Sequence, residues 1–486
     1  MSNASNEAIE VDVAVIGAGS AGLVARRQAL THGAKRVLLI EGGRHGTTCA
    51  RVGCMPSKLL IAAAEAAAAV RGAPEFGVHP GELHIDGAAV MARVQRERDR
   101  FVGSVIDTIE KIPERDRLRG WARFVGPSSL AVETDAGTVR VNAKAIVVAA
   151  GSAPSTPSSL QGLGERLLTS ETIFDLPTLP RSIAVVGAGV IGLELGQALT
   201  QLGVETTILS VGTRMPLLLS DVMQAEAHAL FEQRLDLQLG VRELASRSLG
   251  DGVRLSWVQR DGQPREATFE YVLAATGRPP QLARLELQHA GVEIDDHGGP
   301  RHYDDRTMQI ADKPIFLAGD ISSDRPVLHE ATSEGRIAGI NAARYPDVRA
   351  HVRHVPLGIM FTNPNAALVG ACPGPAGEGE QWEVGELDFR KQGRARVMAE
   401  DHGRVRIYAK RSCGEILGAE LIGPRVEHLA HLLAWAIERR VTVPEALAMP
   451  YYHPVVEEGL RTALQQLGRK LKMAPKPRAL DCGPGT

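Results

Sequence analysis

The chain has few cysteines and few aromatic residues for its length. Its 486 residues include five cysteines, and only 4% of them are aromatic. Five cysteines in a chain this long do not form the disulfide framework of a small secreted protein. The residues Met1–Glu7 also lack the cationic and apolar pattern of a signal peptide. We therefore predict a cytoplasmic protein, and in a reducing compartment two neighbouring cysteines are more often catalytic than structural.

A strong net charge and a long apolar run are also absent. The formal net charge is −2 at pH 7 and the pI is about 6.7, so charge gives no reason to expect nucleic acid or an anionic membrane as a partner. We expect no apolar run to be long enough to span a bilayer. Hydrophobic residues make up 44% of the chain, which is enough for large cores, and the length allows roughly two to four domains.

The two cysteines of the segment Gly46–Lys58, Cys49 and Cys54, are the first candidate functional residues. Their spacing allows both sulfurs to lie on one helical turn or tight loop, where the Cα atoms come within the ~7 Å that a disulfide requires. No second pair completes a four-cysteine zinc site, so we predict no metal site. The spacing alone leaves two interpretations open, a reversible redox pair or two cysteines buried in a helix.

A dinucleotide-binding pattern precedes the cysteines. An apolar run leads into Gly17, Gly19 and Gly22, and a second apolar run ends at Glu41. The glycines permit a tight turn and the close approach of a pyrophosphate to a helix N-terminus. The carboxylate about twenty residues further on can accept hydrogen bonds from ribose hydroxyls. Strand, glycines, helix, strand and acid in this order predict a dinucleotide site.

The same fingerprint occurs a second time. The apolar run Ser182–Val186 leads into Gly187, Gly189 and Gly192. This is an internal duplication of one supersecondary unit. Two fingerprints predict two bound dinucleotides, most simply a flavin and a nicotinamide.

Residues 11–58 closely resemble the N-terminus of the flavin-dependent pyridine nucleotide-disulfide oxidoreductases, the family of dihydrolipoamide dehydrogenase, glutathione reductase and mercuric reductase. Later motifs extend the resemblance over nearly the whole chain. Ala145–Pro154 is similar to the family's Ala-Thr-Gly-Ser-x-Pro segment, and Pro314–Asp320 is similar to its Gly-Asp strand. Tyr452–Glu458 resembles the family's His-Pro-Thr-x-x-Glu, with Val455 in place of Thr.

The resemblance implies an α/β fold with two Rossmann-like dinucleotide-binding domains, for FAD and NAD(P), and a C-terminal α+β dimerisation domain. The predicted boundaries are 1–155 and 279–349 for the FAD domain, 156–278 for the NAD(P) domain, 350–470 for the dimerisation domain and 471–486 for a flexible tail. Sequence patterns also predict helices at 59–70, 91–111, 426–439 and 455–470, and strands at 121–130, 132–141, 145–149, 395–399, 404–409 and 416–422.

The resemblance also implies the catalytic residues. Cys49 would exchange with the substrate, and Cys54 would face the flavin as a thiolate. Only a thiolate attacks a disulfide, and an ordinary thiol is mostly protonated at neutral pH. His453 would take and return that proton, oriented by Glu458. In this family the histidine acts on the disulfide of the partner chain, so the resemblance implies a homodimer with shared active sites.

The cofactor-binding residues follow from the same match. Lys58 would lie beside the flavin N5 and pair with Glu194. Asp320 would hold the ribityl chain, and a helix N-cap is a compatible second role for it. The complete predicted set for FAD and NAD(P) is Gly17, Gly19, Gly22, Glu41, Thr48, Lys58, Gly151, Ser152, Gly187, Gly189, Gly192, Ser210, Gly277, Asp320, His329 and Ala331.

The choice between NAD and NADP stays open at this point. The apolar run after the second fingerprint ends at Ser210, where NAD-specific members usually carry an acid. Arg214 follows alone, whereas NADP-preferring members tend to have a basic pair. Arg51 between the two cysteines is a further departure, since the family usually has Asn there. The role of Arg51 is not predicted.

The motifs resemble dihydrolipoamide dehydrogenase most, which implies oxidation of a small dithiol, such as a lipoyl group, with FAD and NAD. Cys482 stands alone and does not match the C-terminal cysteine pair of mercuric reductases. An NADPH-dependent disulfide reductase such as glutathione reductase is the alternative within the family. An alternative of another class is a flavin redox sensor or scaffold with little turnover. A 2-oxo acid dehydrogenase complex is a further predicted partner.

Overall fold

The described chain forms four sheets: a mixed and a parallel sheet that each carry a dinucleotide fingerprint, a small three-stranded antiparallel sheet, and a five-stranded antiparallel sheet. The computed structural model describes residues 8–373 and 381–474. It confirms the predicted α/β fold class. The expectations for residues 1–7, for Cys482 and for residues 475–486 of the tail lie outside the described residues.

The first unit is a Rossmann-like sheet that the chain leaves and later rejoins. β1 (Ile9–Ile16) pairs in parallel with β2 (Val37–Glu41) on one side and with β6 (Gly137–Val148) on the other, and the strand Ile315–Leu317 of the returning segment adds to β6. Its first elements are β1 (Ile9–Ile16), α1 (Ser20–Thr31), β2 (Val37–Glu41), α2 (Thr48–Arg51), α3 (Cys54–Gly72), α4 (Gly87–Glu110), β3 (Arg117–Arg119), β4 (Trp121–Gly126), β5 (Ser129–Thr134) and β6 (Gly137–Val148).

The strands before and within β6 differ from the prediction. The predicted strand 121–130 is interrupted at Pro127, so β4 and β5 form a hairpin there. The predicted strand 132–141 is divided by a turn at residues 135–136, since 132–134 belong to β5. Its remaining residues, 137–141, form one continuous strand, β6, with most of the separately predicted strand 145–149. β6 pairs antiparallel with β5 in its first half and parallel with β1 in its second half. No Gly or Pro lies between Val141 and Val148, so nothing in the local sequence breaks the strand.

Helix α4 begins one turn earlier than predicted. The side chain of Asp86 accepts a hydrogen bond from the Ala89 N–H at 3.0 Å, which is the usual arrangement of an N-cap. The apolar periodicity from residue 91 onward predicted the helix but not this cap.

One stretch meets the length and composition expected of a membrane-crossing helix, which contradicts the expectation of no such run. It covers the 29 residues Thr48–Phe76. This is weak evidence, because core helices of globular proteins meet the same criteria. Here the stretch is broken at Val52–Gly53 between α2 and α3. Leu60 and Ala64 of α3 are buried in the same hydrophobic cluster as Leu193 of α5.

The second unit repeats the parallel sheet in the order β10-β9-β8-β14-β7 and carries a three-stranded antiparallel sheet, β11-β12-β13. The second fingerprint lies between β8 and α5. The elements are β7 (Leu167–Thr169), β8 (Ser182–Val186), α5 (Val190–Gln201), β9 (Glu205–Ser210), α6 (Asp221–Glu232), β10 (Asp236–Leu239), β11 (Arg242–Ser248), β12 (Val253–Val258), β13 (Pro264–Phe269) and β14 (Tyr271–Ala274).

The returning segment completes the first sheet and adds a buried helix over its fingerprint. Gly335 and Gly339 of this helix pack so closely on α1 that a Cβ at either position would lie 2.3 Å from a carbonyl oxygen of α1. The elements are β15 (Tyr303–Asp304), β16 (Gln309–Ile310), β17 (Ile315–Leu317) and α7 (Leu328–Arg344).

The third unit is an antiparallel sheet, in the order β18-β19-β22-β21-β20, covered by helices. Its elements are β18 (Leu357–Met360), β19 (Asn365–Gly370), β20 (Trp382–Asp388), α8 (Gly393–Val397), β21 (Arg404–Lys410), β22 (Ile416–Gly423), α9 (Val426–Glu438), α10 (Val443–Leu447) and α11 (Glu458–Leu471). The predicted strand 395–399 is wrong, because α8 occupies most of it. The Gln392 side chain caps this helix by accepting from the Ala395 N–H at 2.6 Å.

Candidate active site

A cavity of about 440 Å³ lies where the three units meet. The first unit contributes both cysteines and Lys58, the second contributes Glu194, and the third contributes Phe361. Of the predicted cofactor residues, the cavity is lined by Gly19, Thr48, Lys58, Gly151, Asp320, His329 and Ala331. Glu41, Ser210 and Gly277 are not among its lining residues.

The two cysteines lie on either side of a helix break. Cys49 belongs to α2 and Cys54 is the first residue of α3. The chain reverses tightly at Gly53, where a Cβ would lie 3.0 Å from the Thr48 carbonyl oxygen. This reversal brings the two side chains into hydrogen-bond contact, and both are free thiols. The structure therefore places the two sulfurs of the predicted redox pair side by side.

The surroundings of the two thiols shift their pKa values in opposite directions. The hydrogen bond from Cys49 lowers the pKa of Cys54 to about 7, and the charge of Lys58 acts in the same direction against the effect of burial. The pKa of Cys49 is raised, first because Cys49 donates that hydrogen bond and second because its side chain is partly buried. Cys54 is therefore the thiolate of the reduced pair, and Cys49 keeps its proton.

Lys58 forms the predicted pair with Glu194. Lys58 Nζ lies 2.6 Å from Glu194 Oε2, and the glutamate side chain is 4% exposed. The other carboxylate oxygen, Oε1, accepts a hydrogen bond from the Phe361 N–H at 2.8 Å. The Lys58 ammonium also lies 4.7 Å from the centroid of the Phe361 ring. The buried carboxylate therefore has partners on both oxygens, as burial of a charge requires.

The first fingerprint has the geometry that a dinucleotide needs. Gly17 has φ +106°, and a Cβ there would lie 2.2 Å from the Ala149 carbonyl oxygen. A Cβ at Gly22 would lie 1.9 Å from the Gly17 carbonyl oxygen, so only glycine allows this approach of α1 to the turn. At Gly19 a Cβ would meet no described atom within 4 Å. The start of α1 therefore faces open space, where a pyrophosphate fits.

The second fingerprint has the same geometry. A Cβ at Gly187, which has φ +113°, would lie 2.3 Å from the Ala275 carbonyl oxygen, and one at Gly192 would lie 1.9 Å from the Gly187 carbonyl oxygen. A Cβ at Gly189 again meets no described atom within 4 Å. The residues of both units therefore fit the two predicted dinucleotides.

Glu41 supports the turn of the first fingerprint directly. Its Oε2 accepts a hydrogen bond from the Ala18 N–H at 2.8 Å, and its Oε1 accepts from the Gly43 N–H at 2.6 Å. A carboxylate has about four acceptor positions. Glu41 can therefore hold the turn and still accept from a ribose, which is its predicted role.

Asp320 is joined to the second unit through Ser152. Ser152 Oγ donates to Asp320 Oδ2 at 2.8 Å, and the Arg278 guanidinium donates to Ser152 Oγ at 3.1 Å. The helical turn at this point, Asp320–Ser322, has Gly319 as its N-cap. The predicted second role of Asp320 as the N-cap residue is therefore wrong.

The remaining predicted residues of the nicotinamide site lie at the ends of strands in the second unit. Ser210 ends β9, and Gly277 has φ +106° in the segment after β14. The Arg214 guanidinium is turned toward Asp221 Oδ1, at 3.4 Å, and the Leu219 carbonyl oxygen. The structure therefore gives Arg214 partners within the protein.

The predicted catalytic residues His453 and Glu458 contact each other, but within a single chain they do not reach the cavity that contains the cysteines. His453 Nδ1 lies 3.0 Å from Glu458 Oε2, and this contact lowers the pKa of Glu458. The His453 side chain is 80% exposed and does not line the cavity. That this histidine serves another subunit stays a prediction.

Sequence reasoning missed the functional contacts of Phe361 and Arg278. Arg278 directly follows Gly277, which was predicted as a cofactor residue, and Phe361 directly precedes Thr362-Asn363-Pro364. No local pattern indicates that either side chain reaches the cavity. Within residues 8–373 and 381–474, no group of three or more His, Cys, Asp or Glu side chains is arranged to hold a metal ion.

Comparisons with known proteins match both parts of this architecture. The family model described as pyridine nucleotide-disulphide oxidoreductase matches residues 11–335, and the model for the dimerisation domain of the same family matches residues 357–464. Dihydrolipoyl dehydrogenase 3 of Pseudomonas aeruginosa is 31% identical over 480 residues, which cover 95% of this chain and 99% of that protein. Dihydrolipoyl dehydrogenase of Bacillus subtilis is 30% identical over 93% of this chain and 97% of that protein. The crystal structure of LpdA from Mycobacterium tuberculosis superimposes with a TM-score of 0.79 at 26% identity, over 94% of this chain and all (100%) of that one.

Proposed function

Because the chain belongs to the pyridine nucleotide-disulphide oxidoreductase family, we propose that it is a dihydrolipoyl dehydrogenase that oxidises a dithiol and reduces NAD. One observation carries this proposal: the hydrogen-bonded pair Cys49 and Cys54 lines the same cavity as the Lys58–Glu194 ion pair. The names of the curated relatives support the choice of a lipoyl substrate.

The first dinucleotide site fits FAD, and the second fits the nicotinamide. FAD, when bound, supplies the acceptor that takes an electron pair from the dithiol and passes it to the nicotinamide. Gly19 and Gly189 leave room for the pyrophosphates, while Glu41, Lys58 and Asp320 would hold the flavin nucleotide. The protein contributes binding, orientation and control of protons.

The thiol chemistry starts from the oxidised pair. One substrate thiolate attacks the Cys49 sulfur, the Cys49–Cys54 bond breaks, and Cys54 leaves as a thiolate beside the Lys58 ammonium. The second substrate sulfur then attacks the first, which closes the substrate disulfide and releases Cys49. Two electrons have moved from the substrate dithiol to the cysteine pair. The low pKa of Cys54 makes it the better leaving group, since thiols of lower pKa leave faster.

The protons are handled by a histidine outside the cavity. We propose that His453 of the partner subunit takes the proton of the attacking substrate thiol in each of the two steps, with Glu458 orienting its ring. One of these two protons goes to Cys49 and the other is released to solvent, while Cys54 leaves as a thiolate. The match of a dimerisation-domain model to residues 357–464, which contain His453, supports this assembly. We further propose a cytoplasmic location and association with a 2-oxo acid dehydrogenase complex.

The direct test is turnover with matched substrates. Purified protein is assayed with dihydrolipoamide and NAD or NADP, and with glutathione disulfide and NADH or NADPH. We expect dihydrolipoamide with NAD to be turned over fastest. Faster turnover of glutathione disulfide with NADPH would instead indicate a glutathione reductase. Flavin-loaded protein that turns over none of these pairs would indicate a redox sensor or scaffold.

A further inference from the structure

Phe361 is the residue through which the third unit reaches the Lys58–Glu194 pair. It lies in the turn between β18 and β19 and lines the cavity. The Lys58 ammonium is 4.7 Å from the centroid of its ring. An aromatic face attracts an ammonium within ~6 Å, so the ring is placed to stabilise this cation.

The main chain of the same residue contacts the anion. The Phe361 N–H donates to Glu194 Oε1 at 2.8 Å, while Lys58 Nζ donates to Glu194 Oε2 at 2.6 Å. One residue of the third unit therefore contacts both members of an ion pair that joins the first two units. Side-chain substitutions at 361 remove the ring and keep the N–H, so the two contacts can be separated experimentally.

The turn that carries Phe361 is fixed on α5. Gln197 lies three residues after Glu194 on this helix. Its Oε1 accepts from the Asn363 N–H at 2.5 Å, and its Nε2 donates to the Asn363 carbonyl oxygen at 2.9 Å. Together with the Phe361 N–H, these hydrogen bonds hold the turn against the helix. The main chain of Phe361 therefore cannot move away from Lys58 without disrupting this contact between the second and third units.

We propose that Phe361 is a positioning residue that holds the Lys58 ammonium where its charge stabilises the Cys54 thiolate. The lysine side chain is flexible and 34% exposed, and one ion pair alone leaves its long stem free to move. The Phe361 ring restricts the positions that the Lys58 ammonium can occupy. The ring is uncharged, so the ammonium keeps its full charge. The charge of Lys58 is one of the influences that lower the pKa of Cys54. The inference rests on the proposed function, because it concerns the thiolate which that function requires.

The test measures the ionisation of Cys54 in flavin-loaded protein rather than turnover. In a Cys49→Ser background the long-wavelength absorbance of the thiolate beside the flavin is titrated against pH. We expect Phe361→Leu and Phe361→Met to raise the midpoint by about half a pH unit, the scale of one weak cation–π contact. Phe361→Tyr keeps an aromatic face and should keep the original midpoint. Leucine and methionine fill the site differently, so if one variant does not fold the other still gives the result.

A second ring–cation pair provides the control. The Arg166 guanidinium lies 5.1 Å from the Tyr271 ring centroid, away from the cavity lining. Tyr271→Leu should leave the Cys54 midpoint unchanged. An unchanged midpoint in the Leu or Met variant, or an equal rise in the Tyr variant, would overturn the inference.

Dihydrolipoamide turnover is measured separately on the unsubstituted protein. Turnover without a midpoint shift would refute only the role of Phe361, and a shift without turnover would refute only the proposed function.

Discussion

Lys58 Nζ lies 2.6 Å from Glu194 Oε2, so the first and second dinucleotide units are joined by an ion pair at the wall of the thiol cavity. The lysine comes from the helix that begins with Cys54, and the glutamate comes from the helix that follows the second fingerprint. The charge beside the thiol is thus linked to the unit that we propose binds the nicotinamide.

The pH dependence of Cys54 should report this pair. The pKa of Cys54 lies near 7, below the ordinary value of about 8.5 for cysteine. The thiolate therefore predominates above pH 7 and is lost as the pH falls through that value. Lys58→Met removes the stabilising charge, so we expect the midpoint of Cys54 alkylation by iodoacetamide, followed by peptide mass spectrometry, to rise. A midpoint that stays the same or falls would show that Lys58 does not act on the thiol. Lys144→Met, which removes a surface cation paired with Asp12, is the control.

FAD binding should depend on Glu41. Glu41→Ala removes a ribose acceptor and also leaves the N–H groups of Ala18 and Gly43 without their partner. We expect the unsubstituted protein to be purified yellow with tightly, non-covalently bound FAD. In the variant we expect the affinity to fall by about tenfold or more, since a hydrogen bond to a charged group contributes about 1.5–3 kcal/mol. Flavin fluorescence on dilution measures this. A colourless protein that gains no colour from added FAD would contradict the assignment.

Cys49→Ser should separate the two half-reactions. The thiol that exchanges with substrate is lost, so dihydrolipoamide turnover should disappear. Reduction of an artificial dye by NADH needs the flavin and the nicotinamide site but not the cysteine pair, and it should largely persist. Cys413→Ser, at an exposed thiol of the third unit, should affect neither activity. Equal loss of both activities in Cys49→Ser would mean that Cys49 has a structural role.

Ser210→Glu should shift cofactor choice toward NAD. A carboxylate at the end of β9 accepts from the ribose 2′-hydroxyl and repels a 2′-phosphate. The expected gain in the ratio of kcat/KM for NAD over NADP is roughly tenfold to a hundredfold, from about 1.5–3 kcal/mol for a charged hydrogen bond. Ser210→Gln is the uncharged control. If the ratio does not change, specificity is set at other positions of the second unit.

The sequence was sufficient to predict the parts of the site that depend on local chemistry. Glycines with φ of +106° and +113° at Gly17 and Gly187 are required by the turn itself, so each fingerprint could be identified from a short stretch. The spacing of Cys49 and Cys54 alone left two interpretations open, and the roles of the cysteines, His453 and Glu458 followed from the family resemblance rather than from local sequence. The role of Phe361 was not, because it depends on contacts with Lys58, about 300 residues earlier in the chain, and Glu194.

Errors in secondary structure had the same origin. Residues 395–399 combine apolar and basic side chains as an edge strand does, which led to the strand prediction. In the structure the Gln392 side chain caps the first turn and stabilises a helix there instead. The continuous strand β6 changes from an antiparallel to a parallel neighbour along its length. The sequence of one strand does not specify which neighbours pair with it.

The most direct test of the account is complementation between two inactive variants, because it requires the thiols, the histidine and the dimer together. Cys49→Ser and His453→Ala are unfolded together, refolded with FAD, and assayed with dihydrolipoamide and NAD after gel filtration has verified mixed dimers. Random pairing gives about half heterodimers. In each heterodimer one site carries both substitutions and the other site carries neither. The account predicts recovery of about a quarter of the activity of refolded unsubstituted protein. Verified heterodimers without activity would contradict it, because every site would then contain one of the two substitutions.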